Sequence, residues 1–423
     1  MLSVTDIRNN TKELLDRLEL RNFDAHEYFD EILALDGKRK ETQTELDGML
    51  AVLNQHAKEI GDLYKKGDSE QAEKKKSETT ANKESSKLLS EQLHTTEEAI
   101  KSLLVLIPNA PNSSVPKGNS SKDNEIVKES GDMPNLPEDA LPHWELAEKY
   151  SLIDFELGAK IAGSGFPVYR GKGARLQRAL ISYFLDKALE AGYTEYQPPV
   201  LINPESGYGT GQLPDKDAQM YHLEMDNMYL SPTAEVQLTN LYRDDLLKFE
   251  QLPIKMVAYA QCFRREAGSY GKDVKGLNRL HQFDKVEIVQ IQHPDNSYKV
   301  LEEMTDYVAG LLDQLELPYR VAKLCGGDMG FTSALTYDME VYSGGQKRWL
   351  EVSSISNFEA FQANRLNLRF KEGDKKVSMV HTLNGSALAL PRIVAALLEN
   401  NQTPDGIKIP KALVAYTGFD IIN

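Results

Sequence analysis

Through the first hundred residues, apolar positions recur at alternating steps of three and four. One run holds Leu46, Leu50, Val52 or Leu53, Ala57, Ile60 and Tyr64, and a second holds Leu89, Leu93, Thr96, Ile100 and Leu103. Such spacing keeps an apolar stripe on one side of a long helix, as a coiled-coil seam requires. Lys65, Lys66, Gly67 and Asp68 interrupt the pattern, and glycine ends helices by taking the left-handed conformation. Two long helices joined by a short glycine turn form an antiparallel hairpin. A forty-residue helix projects roughly 60 Å at about 1.5 Å per residue. Between Ser69 and Lys87 the seam turns polar, and Lys65, Lys66, Lys74, Lys75, Lys76, Lys83 and Lys87 gather there. That stretch reads either as a solvated face with i,i+4 pairs such as Glu70 to Lys74, or as a surface for a phosphate backbone. The pattern alone does not decide.

Prolines start at Pro108, and PNAPNSSVPKGNSS and MPNLPEDALP have linker chemistry. Strands, helices and glycine turns alternate from about His143 onward. The expected organisation is therefore α+β: a helical arm over 1–107, a linker over 108–142 and a globular body over 143–423. In that body QLPIKMVAYAQCFRRE alternates as a strand, a Gly/Ser/Lys loop follows, and LNRLHQFDKVEIV resumes strand periodicity. Strand, loop and returning strand make an antiparallel hairpin.

Composition narrows the possibilities. The chain of 423 residues has a formal charge of −15, so any contact with nucleic acid must use a local basic surface. No apolar run reaches the ~18 residues of a membrane span, and the N-terminus lacks the apolar core of a signal peptide. Cys262 and Cys325 stand far apart, which argues against a disulfide framework and a Cys-rich zinc site, and for a cytoplasmic protein. His222, His281 and His381 lack metal-ligand spacing. GSGF at 163–166 has no Walker pattern after it and reads as a turn into the next helix.

The hairpin carries Arg264, Glu266 and Phe283, which together suit a nucleotide. A guanidinium clamps phosphate, an aromatic stacks on a purine and a carboxylate accepts from its amino group. A surface hairpin with incidental charge is the plainer alternative.

FRREAGSYGKDVKGLNRLHQFDKVE resembles motif 2 of the class II aminoacyl-tRNA synthetases in the form typical of the seryl-tRNA synthetase family. Further likenesses follow in order along the chain. EYQPPV (195–200) stands at motif 1, and GYGTGQLP (207–214) precedes the serine-binding TAE segment of MYLSPTAEV (228–236). EVSSISNF (351–358) is followed by FQANR, and NGSALALPR (384–392) resembles motif 3. The resemblance spans the whole chain and implies a class II catalytic domain, an antiparallel sheet flanked by helices, behind a tRNA-binding coiled coil.

It also implies roles. Arg264 would hold the ATP α-phosphate, Glu266 read the adenine amino group and Phe283 stack on the ring. Arg265, Leu280, Val352 and Ser353 would lie beside the nucleotide, and Arg392 would meet the γ-phosphate. Glu351 and Ser354 would hold Mg2+, a hard cation that favours oxygen donors; no zinc is expected. Thr233, Ala234, Glu235, Glu287, Asn384 and Ser386 would surround L-serine, with Glu287 and Ser386 reading its hydroxyl; outside the motif, Glu287 reads equally as a strand carboxylate paired with Lys285 or Arg279. Arg264, Glu351 and Arg392 would carry the catalysis. The implied partners are serine tRNA and the selenocysteine tRNA, with a second copy of the chain in a homodimer. Ala387 departs from the usual motif 3 glycine, and Pro391 sits near a helix start, where its missing N–H costs little. A paralogue that loads a carrier protein would lack the arm, and a non-catalytic RNA-binding derivative would lose the arginines and pocket acids.

Overall fold

The computed structural model describes residues 1–266, 275–374 and 376–423. Residues 267–274 of the expected nucleotide hairpin lie outside the described residues. The chain divides into two units, Met1–Glu19 with Phe23–Pro108, and Leu20–Asn22 with Asn109–Asn423.

In the first unit, two short helices, α1 (Val4–Asn9) and α2 (Thr11–Glu19), precede the long pair α3 (His26–Lys65) and α4 (Ser69–Leu104). Gly67 takes φ 80° at the turn, and Asp68 caps α4 by accepting from the Gln71 N–H at 3.2 Å. The base is firm. Ile7, Leu14, Leu18, Phe29, Ile32, Ile100 and Leu104 are all buried, and each such side chain contributes about 1.5–3 kcal/mol of burial. Asp36 is buried among them. Burial pushes its carboxyl up, but bonds from Lys40, Arg39 and Arg8 outweigh that and hold it below the usual carboxylate range.

The seam of α4 runs as expected, but that of α3 is corrected by one position. Leu46 is buried and Met49, Leu53, His56, Ile60 and Leu63 are half-buried, whereas Leu50, Ala57 and Tyr64 are exposed. Only a narrow stripe of a two-helix hairpin faces the partner, and apolar residues beside that stripe remain wet. Toward the tip the seam is polar and cross-linked. Lys75 pairs with Glu59, Thr79 Oγ1 lies 3.4 Å from His56 Nδ1, and the Tyr64 hydroxyl donates to Glu73 at 2.7 Å. The other tip lysines stay exposed.

The second unit is built on an eight-stranded sheet. In chain order its strands are β1 (Glu125–Ser130), β2 (Thr194–Tyr196), β3 (Ile254–Phe263), β4 (Gln282–Gln292), β5 (Tyr319–Lys323), β6 (Leu335–Ser343), β7 (Arg348–Asn357) and β8 (His381–Ala389). In space they run β1-β5-β6-β7-β8-β4-β3-β2. All pairs are antiparallel except β2 with β3. Because β1 pairs with β5, part of the stretch expected as linker is an edge strand of this unit. Its flanking prolines and glycines hid a short strand whose residues are mostly exposed.

Helices α5 (Gly171–Glu190), α7 (Ser297–Gln314) and α9 (Leu390–Asn400) supply Leu180, Phe184, Leu301, Val308, Ile393 and Leu397 to the main core. Between α5 and α7 in sequence, the short α6 (Ala234–Asn240) follows Thr233, which caps it. Strand alternation sorts β4 cleanly: Val286 and Ile288 point into this core, leaving Lys285 and Glu287 on the other face. Pro391 lies in the first turn of α9, where a proline is tolerated.

Candidate active site

The pocket acids are set by strand register. Glu287 lies directly opposite Ser386 across β4 and β8, so their side chains share a face, and Asn384 joins them two residues along. Glu287 is fully buried. It accepts from Asn384 Nδ2 at 3.0 Å and from Ser386 Oγ at 3.3 Å. Lys285 Nζ lies 2.5 Å from Oε2, the same Glu287 oxygen that accepts from Ser386, and also donates to Thr233 Oγ1 at 2.9 Å.

Glu235 follows from the first turn of α6, beside the buried Ala234. Gln362, on α8 (Phe361–Leu366), donates to Glu235 Oε1 at 2.6 Å and to the Thr210 carbonyl at 3.3 Å, and accepts from Thr382 at 2.7 Å. Burial, then the neighbouring Glu287 charge, pushes the Glu235 carboxyl up to about 7 against the pull of Gln362, Lys285 and Arg264. Arg365, one turn along α8, holds the segment 207–214 by donating to the carbonyls of Tyr208 and Leu213 at 3.1 and 3.0 Å.

The candidate nucleotide side is the β3–β4 hairpin. Beyond Phe263 the ladder continues through Arg264 N–H to the His281 carbonyl at 3.0 Å. The Arg264 guanidinium lies 5.3 Å from the Phe283 ring centre, and that of Arg265 lies 5.7 Å from Tyr221. Glu266 pairs with Arg279 at 3.0 Å, and Leu280 is buried.

A bulge makes the third part. In a regular strand Glu351 and Ser354 would point to opposite faces, because they are three residues apart. Register shifts within β6–β7, so that Met339 opposes Ser353 while Glu340 opposes Glu351. The skipped residue, Val352, is buried, and Glu351 is returned to the face of Ser354 and its opposite number Asp338. Ser353 instead turns toward the β8 backbone, donating to the Ser386 carbonyl at 2.6 Å. Arg392 reaches the Glu351 carbonyl at 2.6 Å, with its carboxylate 3.6 Å away, and the Asn278 carbonyl at 3.3 Å.

These donors fit magnesium. Glu351 and Ser354 present hard oxygens on one face, and Asp338 beside them has a buried Oδ1 with no hydrogen-bond partner in the structure. Burial and the Glu351 charge push the Asp338 carboxyl up, while the Ser354 hydroxyl bonds it and opposes that. Among the described residues no three His, Cys, Asp or Glu gather to hold a metal by themselves. An ion that shares its shell with substrate phosphates needs only one or two protein ligands.

The structure therefore brings the pocket residues together, pairs Glu287 with Lys285 rather than with Arg279, and adds Gln362 and Asp338, to which the sequence reading assigned no role. Lys285 and Glu287 are two apart on one strand, a signal that both share a face. The histidines have local partners. His222 stacks on Tyr229, His281 stacks on Phe166, and His381 meets Ser297 at 2.8 Å, with burial drawing it down to about 4.

Comparison with known proteins places the whole chain in a family. The seryl-tRNA synthetase N-terminal domain matches residues 1–111, and the class II tRNA synthetase core domain (G, H, P, S and T) matches residues 221–401. The chain is 51% identical to a serine–tRNA ligase of Salinibacter ruber over 99% of its own length and 98% of that relative. It is 45% identical to one of Chlorobaculum parvum over the full length of both. A seryl-tRNA synthetase of Pyrococcus horikoshii, solved with ATP, superposes with a TM-score of 0.90 at 33% identity, covering 100% of this chain and 99% of that one. Heptad arm, paired acids and bulged strand thus stand in a chain that belongs to the seryl-tRNA synthetase family, the serine–tRNA ligases among the class II aminoacyl-tRNA synthetases.

Proposed function

We propose that the acids and amides around Glu287 bind L-serine, that the β3–β4 hairpin binds ATP, and that the two react to form seryl-adenylate. The observation that carries this reading is the cross-strand group of Glu287, Ser386 and Asn384 beside Glu235. Such a pocket offers negative charge for an ammonium and fixed hydrogen-bond partners for a hydroxyl. Alanine would leave those partners unmatched, which is costly in a buried site.

The serine carboxylate attacks the α-phosphorus, its oxygen–phosphorus bond forms, and the bond to pyrophosphate breaks. Arg264 neutralises the two anions as they meet and the charge that develops on phosphorus. Phe283 and Glu266 hold the adenine, with Arg265, Leu280, Val352 and Ser353 bordering the nucleotide. Arg392 takes the far phosphate. Magnesium, held by Glu351 and Ser354, would supply charge neutralisation for the leaving pyrophosphate. Thr233 and Ala234 border serine with Glu235. The 3′-terminal ribose hydroxyl of serine tRNA then attacks the seryl carbonyl and AMP leaves. No side chain becomes a covalent intermediate.

Family likeness further supports a cytoplasmic homodimer, tRNA contact by the α3–α4 arm, and charging of the selenocysteine tRNA where a host has one. Among the described helices none is long and apolar enough to cross a membrane. Deleting residues 45–95 tests the arm: charging of serine tRNA should be lost while serine-dependent ATP–pyrophosphate exchange persists. Charging that survives the deletion would contradict the assignment.

A further inference from the structure

The serine pocket contains a cation that the reaction above does not use. Lys285 is buried, and its ammonium bridges two parts of the pocket, Glu287 on β4 at 2.5 Å and the Thr233 hydroxyl ahead of α6 at 2.9 Å. The second pocket acid has a different neighbour: Glu235 is bonded by Gln362, a neutral amide. The two acids are therefore unequal. We propose that Lys285 is a specificity-positioning residue that divides the labour between them. Paired with Lys285, Glu287 is left to accept the serine hydroxyl, and Glu235 is left to take the ammonium.

Electrostatics supports the division. A carboxylate already in contact with one ammonium gains little from a second, because the two cations repel at close range in a poorly screened site. A neutral hydroxyl meets no such repulsion and can donate to a carboxylate that Asn384 and Ser386 hold in place. Glu235 is destabilised by burial and by the Glu287 charge, so a cation placed beside it relieves more than one placed beside Glu287. The bridge to Thr233 fixes the spacing between the segment that carries Glu235 and the strand that carries Glu287.

This inference rests on the serine-binding reading and is tested within it. Affinities of the full-length chain for non-hydrolysable seryl- and alanyl-sulfamoyl adenosine are compared for the parent and for E287Q, E235Q and K285M. E287Q should cut the preference for the seryl analogue at least ~10-fold while alanyl affinity stays within about 2-fold, since only the hydroxyl reader is lost. E235Q should weaken both analogues by the same factor. K285M should lose preference as E287Q does, with ATP affinity unchanged, a pattern that general loosening of the fold would not produce. If E287Q weakens both analogues equally, Glu287 takes the ammonium and the inference is overturned. A folded K285M with intact preference overturns it as well, and if K285M does not fold, the E287Q and E235Q pair decides. A parent that binds neither analogue would defeat the serine reading itself, which separates the two failures.

Discussion

Glu235 is a buried carboxylate whose Oε1 accepts from a neutral amide, Gln362, at 2.6 Å. With its carboxyl pushed up to about 7 by burial and Glu287, it is partly protonated near neutrality. The ionised form is the one that binds an ammonium, so kcat/KM for serine in pyrophosphate exchange should fall as pH drops through about 7. E235Q should flatten that limb, and an unchanged limb in E235Q would assign it to another group. Linkage gives a matching sign for stability. A folded-state value raised above the ordinary 4.5 means stability that is complete at low pH and lost as pH rises toward and through about 7. The empty protein should therefore gain thermal stability from E235Q at pH 8 and not at pH 4, as a melting series at both values checks. For Glu351, E351Q removes one of the hard oxygens brought to the face of Ser354. Exchange should then need more magnesium, with the half-saturating concentration rising at least ~10-fold. Sequence motifs identified these acids and Ser354. Lys285 was legible only as one of two alternative partners of Glu287, the other being Arg279, because Lys-x-Glu on a strand looks the same whether it faces solvent or a pocket; the structure pairs Glu287 with Lys285.

At the level of elements, two departures from regularity matter. One is the bulge at Val352, which turns an odd spacing into a shared face. No hydrophobic pattern signals it, since Glu351 and Ser354 alternate like any strand residues, and only the resemblance joined them. The other is the polar seam of the arm. Leu50, Ala57 and Tyr64 drew the expected register one position off because they are apolar, whereas the true seam includes His56 and is met by Thr79 and Lys75. Hydrogen bonds and ion pairs at exposed sites add about 1 kcal/mol or less each, well under an apolar layer. Amide exchange should accordingly be faster over residues 50–86 than near Phe29 and Ile100. Replacing His56 and Thr79 together by leucine should slow exchange at the tip. Equal protection along both helices would contradict this account of the seam.

Across the whole molecule, the long N-terminal helices and the antiparallel sheet of the second unit were legible from heptad spacing and strand alternation. The placement of Glu125–Ser130 in that sheet was not, because its pairing with Tyr319–Lys323 is made nearly two hundred residues away in sequence. Long-range pairing leaves no local mark on an edge strand with few buried residues. The pocket draws on the same kind of closure: α6, β4, α8 and β8 all contribute to it. Its central claim, that this assembly activates serine and reads its hydroxyl, is tested most directly by amino-acid-dependent ATP–pyrophosphate exchange with the full chain and magnesium. Exchange with L-serine should exceed that with L-alanine and L-threonine at least ~100-fold. Absence of exchange with serine, or comparable exchange with alanine, would contradict the account.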